Sequence, residues 1–180
     1  MTTPNAPATE SPLVSIVVGS TSDAEIVAAC RRVLDEVKVS HEARVLSAHR
    51  TPRELLAYVE QLETRGVRVV IAAAGLAAHL PGVIAAHTQL PVLGVPVVTG
   101  PLVGVDALLS IAQMPGGVPV GCLGVGTAGA KNAAYLAARI LALTDRSLRA
   151  RLDEMVERDR QRVLSSELPA SAPAKQNELK

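Results

Sequence analysis

A chain of 180 residues carrying 18 Lys and Arg against 17 Asp and Glu, net charge +1, is large enough for one self-supporting core. It offers no electrostatic reason to bind nucleic acid or an anionic membrane. It has no Phe or Trp and only two Tyr, Tyr58 and Tyr135, so the aromatic platforms on which single-stranded bases stack are missing.

With 48% hydrophobic residues, the core must be built from Val, Leu, Ile and Ala. An apolar chain this small is expected to hide further surface between subunits. The first dozen residues lack a basic start followed by an apolar run, so no secretory signal is expected. The longest apolar run, Val69 to Ala78, is too short to span a bilayer, and a cytoplasmic protein is expected.

Residues 1–12 and 166–180, rich in Pro, Ala, Ser and charge, are expected to be disordered tails. A single α/β domain should occupy 13–165. Its first strand is Leu13–Val18, followed by Gly19-Ser20-Thr21-Ser22-Asp23, where Ser22 and Glu25 fit a capping box. The helix that follows carries Ile26, Cys30, Val33 and Val37 on one stripe. His41–Leu46 is a second strand. Thr51-Pro52-Arg53-Glu54 then starts a helix, with Thr as cap and Pro in the first turn, and Gly66 closes it.

Val67–Ala73 reads as a central third strand, followed by a short helix around Pro81–His87. Pro91–Val95 is the fourth strand, Gly104–Gln113 a helix, Val118–Val125 the fifth strand and Ala128–Leu143 an Ala-rich helix. A final charged helix, Arg146 to Leu164, places Leu148, Leu152, Met155, Val156 and Val163 on one side and is expected to extend to a neighbouring subunit. Cys30 and Cys122 read as buried, reduced hydrophobes. Strands alternating with helices imply a three-layer, flavodoxin-like, doubly wound parallel sheet.

In such a sheet, ligands bind outside the carboxyl ends of the strands. The first of those loops, Gly19 to Asp23, joins three hydroxyls to a helix start and suits a monophosphate. It is neither a P-loop nor a dinucleotide fingerprint. The second, Ser47-Ala48-His49-Arg50, sets a proton-exchanging imidazole beside a fixed cation that can grip phosphate. The third, Gly75-Leu76-Ala77-Ala78-His79, lets backbone approach a flat ligand, although a lone His79 could equally be structural. The fourth, Gly124 to Asn132, reads as a binding loop or as a close-packing turn. His41 and His87 have no partners in sequence. No residues stand at metal-ligand spacing. Read by residue, this is a domain that binds a phosphorylated small molecule beside a histidine poised for proton transfer.

Taken together, GSTSD, SAHRTP, AAHLPG, GVP, SIAQMPGGVPV and AGAKNAA occur in an order that closely resembles the class I N5-carboxyaminoimidazole ribonucleotide mutases of bacterial purine synthesis, from about Val14 to Val163. The resemblance implies a homo-octamer without metal or organic cofactor. It implies conversion of N5-carboxyaminoimidazole ribonucleotide to 4-carboxy-5-aminoimidazole ribonucleotide. It makes His49 the general acid/base, with Ser20, Ser22, Asp23 and Arg50 at nucleotide-binding positions. Ser47 and the loop of Gly75, Leu76, Ala77 and His79 would line the pocket. The chain departs from the family pattern at Ala73 and Leu76, where glycines are usual, at His87 in place of lysine, and at Val103 and Ala107 in place of serines. Two alternatives stay open: a carboxylase using free CO2 on the same fold, which tends to carry Lys where Arg50 stands, and a non-catalytic binder of nucleotide monophosphates.

Overall fold

The fold was analysed in a computed structural model that describes residues 11–167; most of both expected tails lies outside the described residues. Five strands form one parallel sheet in the order β2-β1-β3-β4-β5, namely β1 (Val14–Val18), β2 (His41–Val45), β3 (Val69–Ala74), β4 (Val92–Pro96) and β5 (Gly121–Cys122). Six α-helices accompany them: α1 (Ala24–Glu36), α2 (Pro52–Val59), α3 (Leu80–Ala85), α4 (Val105–Ala112), α5 (Gly126–Leu141) and α6 (Arg146–Leu164). This is the expected doubly wound sheet, and the chain reverses direction across it between β1 and β3.

The strands read as continuous apolar runs because both faces are covered, as parallel sheets require. Val14, Ile16 and Val18 of β1 pack with Val69, Ile71 and Ala73 of β3 against α1 and α5. Val17, Val70 and Ala72 face the other way, onto Leu55, Val59, Leu80 and Ile84 of α2 and α3. With no ring available to fill space, helix and sheet approach through alanine: Ala130, Ala133, Ala134, Ala137 and Ala138 of α5 are all fully buried.

One buried polar side chain, Ser15, starts a network that crosses three elements. Its hydroxyl lies 2.7 Å from that of Tyr58, which donates to Glu42 at 2.8 Å. Arg65 donates to both oxygens of the same carboxylate at 2.6 Å. Burial pushes the Glu42 carboxyl up, but donation by Arg65 and Tyr58 and the charges of Arg65 and Arg44 outweigh it, and its pKa falls below the ordinary value. The polar groups are thus satisfied among themselves, far from the strand ends where ligands bind.

Several local expectations are corrected. Ser22 makes no capping box with Glu25. Residues Thr21–Asp23 form a short 3-10 turn capped instead by Ser20, whose hydroxyl accepts from the Ser22 backbone N–H at 3.2 Å. Thr51 does not cap α2 through its side chain; the reason appears below. The fifth strand shrinks to two residues, because it is a sheet edge and Pro119 has no N–H to give to a ladder. Cys122 is only partly buried, whereas Cys30 is fully enclosed and its thiol is pushed by burial up to about 12.

The final helix has the expected bounds but not the expected packing throughout. Leu148, Leu152 and Met155 join this chain's own core beside α1 and α5, while Val156 and Val163 stay exposed at 55% and 69%. Asp145 starts the helix by accepting from the N–H groups of Ser147 and Leu148 at 2.9 and 3.0 Å. Those bonds hold its carboxyl below the usual carboxylate range.

Candidate functional site

At the reversal of strand order, the loops leaving β1, β2 and β3 enclose a cleft of about 380 Å³. Its walls include Ser20, Ser22 and Asp23 after β1, Ser47, His49 and Arg50 after β2, and Gly75, Leu76 and His79 after β3. Nine of the ten residues selected from sequence therefore share one space. Ala77 does not: it is exposed, off the cleft wall, and its neighbour Ala78 lines the cleft instead. The turn carries two left-handed residues, Leu76 and Ala78, at φ 56° and 34°, so consecutive side chains do not alternate there as they would along a strand.

The loop after β2 is locked by its own ends. Thr51 gives its hydroxyl to the Ser47 carbonyl at 3.1 Å and accepts from the Ser47 N–H at 2.8 Å, while its backbone N–H reaches the same carbonyl at 2.9 Å. The Thr51 side chain is thus spent on closing the loop rather than on capping α2. Ser47 in turn accepts from the Arg50 backbone N–H at 3.2 Å. The result is a rigid turn that projects two functional groups from fixed backbone.

One of these is His49, whose Nε2 lies 2.6 Å from Nδ1 of His79, the rings meeting edge to face at 81°. Such a contact needs one nitrogen to donate and the other to accept, so both rings cannot be protonated at the shared edge. His79 is held by its place at the N-terminus of α3, where its carbonyl accepts from Val83 at 2.9 Å. The second group is Arg50, which donates from Nη2 to the Gly19 carbonyl at 2.7 Å and from Nε to the Ser47 hydroxyl at 3.4 Å. These bonds stretch the guanidinium from the β2 loop to the β1 loop. Beside it, burial raises the Asp23 carboxyl above its ordinary value, against the lowering effects of Ser22, the Ser20 backbone and the Arg50 charge.

Two features escaped the sequence reading. Thr99, after β4, lines the same cleft and presses on Gly75, where a Cβ would stand 2.7 Å from the threonine hydroxyl. A hydroxyl just beyond a strand's carboxyl end was the available signal. Conversely, the glycine-rich turn after β5 lies outside the cleft. Gly129 sits so close to Gly124 that a Cβ on it would fall 1.5 Å from the Gly124 carbonyl oxygen, and the open alternative resolves as a packing turn.

A cleft at the switch point of a parallel sheet, with a histidine pair on one wall and an arginine tied across to a hydroxyl-rich loop, defines an α/β protein built to hold an anionic small molecule beside a proton carrier. The chain belongs to the AIR carboxylase family, whose model matches residues 13–162. It is 54% identical over 155 residues to the N5-carboxyaminoimidazole ribonucleotide mutase of Bacillus subtilis strain 168, covering 86% of this chain and 96% of that one. To the protein of the same name from Escherichia coli K12 it is 49% identical over 159 residues, covering 88% and 94%. In three dimensions it matches the crystal structure of Treponema denticola PurE with a TM-score of 0.77 at 26% identity, over 85% of this chain and 94% of that one.

Proposed function

We propose that this chain is an N5-carboxyaminoimidazole ribonucleotide mutase, an isomerase of purine biosynthesis that yields 4-carboxy-5-aminoimidazole ribonucleotide. The carrying observation is the 2.6 Å pairing of His49 with His79 across two loops of the switch-point cleft. Identities near 50% to proteins bearing that name, over most of both chains, support the same reading.

In this reaction the carbamate N–C bond breaks, its electron pair stays on nitrogen, and nitrogen takes a proton as CO2 leaves. Ring carbon four then gives an electron pair to the CO2 carbon and loses its own proton. One imidazole, that of His49, delivers the first proton and removes the second, a contribution of ~10²–10⁴-fold for general acid–base catalysis. Holding CO2 and ring together supplies the rest as effective concentration. Arg50 with Ser20 and Ser22 binds the phosphate, Asp23 accepts from ribose hydroxyls, and Ser47 and the Gly75–His79 loop line the pocket, Ala77 excepted.

The family model's description also suits a carboxylase that takes free CO2. An assay of purified protein on the carbamate, with product followed by ultraviolet absorbance, separates the readings. Conversion without added bicarbonate is expected. Conversion that requires bicarbonate and the uncarboxylated ribonucleotide would overturn the mutase reading in favour of the carboxylase, and binding without conversion would favour the nucleotide binder.

The reading carries a cytoplasmic location and a homo-octamer. Supporting the assembly, Val98, Leu102, Val103, Val105 and Leu109 expose between 53% and 66% of their surfaces around the loop that precedes α4 and along α4 itself, as α6 does with Val156 and Val163. Single exposed apolar residues are ordinary, but this many side by side usually cover one another between subunits. Light scattering should report a mass near eight chains, and a monomer would refute it.

A further inference from the structure

Among the cleft residues, Leu76 and Ala78 hold left-handed backbone without being glycine. For Ala78 the reason is visible: it is buried against Ala107 and Ile111 of α4. Leu76 has no such return. Half of its surface, 50%, remains exposed, so it gains neither the freedom of glycine nor full burial.

Its side chain nonetheless has a destination. One Leu76 methyl packs on Gly100, in the loop between β4 and α4, so closely that a Cβ on Gly100 would stand 2.9 Å from it. The β3–α3 and β4–α4 loops therefore meet through this leucine, beside the Gly75–Thr99 contact already described. The rest of the cleft wall is hydroxyl, imidazole, guanidinium, carboxylate or small aliphatic in character, and the other large apolar side chain, Leu80, is buried. Leu76 is the large apolar surface that the cleft offers to a ligand.

Carbon dioxide is the one participant of the reaction that such a surface suits. It carries no charge, accepts hydrogen bonds weakly, and escapes to water unless something apolar covers it. We propose that Leu76 is a positioning residue: it ties the β3–α3 loop to the β4–α4 loop and forms the wall that keeps released CO2 beside the ring until carbon four captures it. The inference rests on the mutase reading. Bonds broken and formed are those already given, and Leu76 exchanges no atoms.

The test runs wild type, Leu76→Gly, Leu76→Ala and Leu76→Met on the unlabelled carbamate in isotopically labelled bicarbonate. Initial rates of product and of label entering its carboxyl group are read, with enzyme-free exchange subtracted. Thermal melting accompanies each variant. Glycine relaxes the backbone and alanine keeps it left-handed, yet both remove the wall. Both should admit label, with a rise in labelled product on the order of tenfold, as a loss of effective concentration predicts. Methionine should restore retention. Label entry that stays at the wild-type level in both variants, even with slower turnover, would overturn the proposal, as would a rise in only one of them. If wild type converts the carbamate while the variants leak no more than it does, Leu76 alone loses its role. If wild type does not convert it, the mutase reading falls and takes this inference with it.

Discussion

Replacing His49 by Asn should leave ribonucleotide binding close to wild type while kcat falls by ~10²–10⁴-fold, the range that general acid–base catalysis supplies. Asparagine is near the imidazole in size and can still hydrogen-bond to His79, but it cannot carry a proton near neutral pH. The loop need not move to accept it, because its closure depends on Ser47 and Thr51 rather than on the His49 ring. Calorimetric titration with the product nucleotide reports binding, and steady-state kinetics report turnover. A drop in kcat with unchanged affinity places the loss in the chemical step. Normal turnover by the variant would remove His49 from the mechanism, while lost binding with normal turnover at saturation would make it a ligand contact instead.

The largest effect on stability is expected from Gly129→Ala. A Cβ there would sit 1.5 Å from the Gly124 carbonyl oxygen and 2.4 Å from its carbon. Both are backbone atoms, with no rotamer through which to yield, so the first turn of α5 would have to leave the β5–α5 turn. The same helix delivers five fully buried alanines to the core, and a shift at its start is felt along that whole seam. A loss on the order of 3 kcal/mol or more is expected, at or above the upper end for overpacking, read as a lowered urea midpoint. Gly124→Ala is the control. Its Cβ would meet Gly129 at 3.7 Å, an ordinary contact, and should cost little. Equal stability of Gly129→Ala and wild type would show that the turn can open freely.

Both predictions concern loops, and loops are where sequence and structure part company. The strands, the amphipathic helices and the central place of β3 were readable, because burial on one or two faces imposes a period on apolar residues that survives in one dimension. The positions to search were readable too, since a parallel sheet confines binding to its carboxyl ends. Hydrogen-bond partners within a loop were less so. Ser20 and Ser22 are equally good caps by type, and only the backbone angle at Ser20, extended at φ −154°, decides which one accepts. Thr51 likewise reads as a helix cap until the loop folds back and claims its hydroxyl.

By itself the sequence determined an apolar, ring-poor α/β domain, its element order, and a set of hydroxyl, histidine and arginine side chains at strand ends. Those follow from local chemistry, in which each residue's preference is felt within a turn or two of chain. Only the tertiary structure decided that His49 and His79, 30 residues apart, are partners, that Thr99 belongs with them, and that Ala77 and the glycine-rich turn after β5 do not. The physical reason is strand order. With β2 and β3 on either side of β1, three loops converge on one cleft while the β5 loop is carried to the far edge, and no local preference encodes which strands become neighbours.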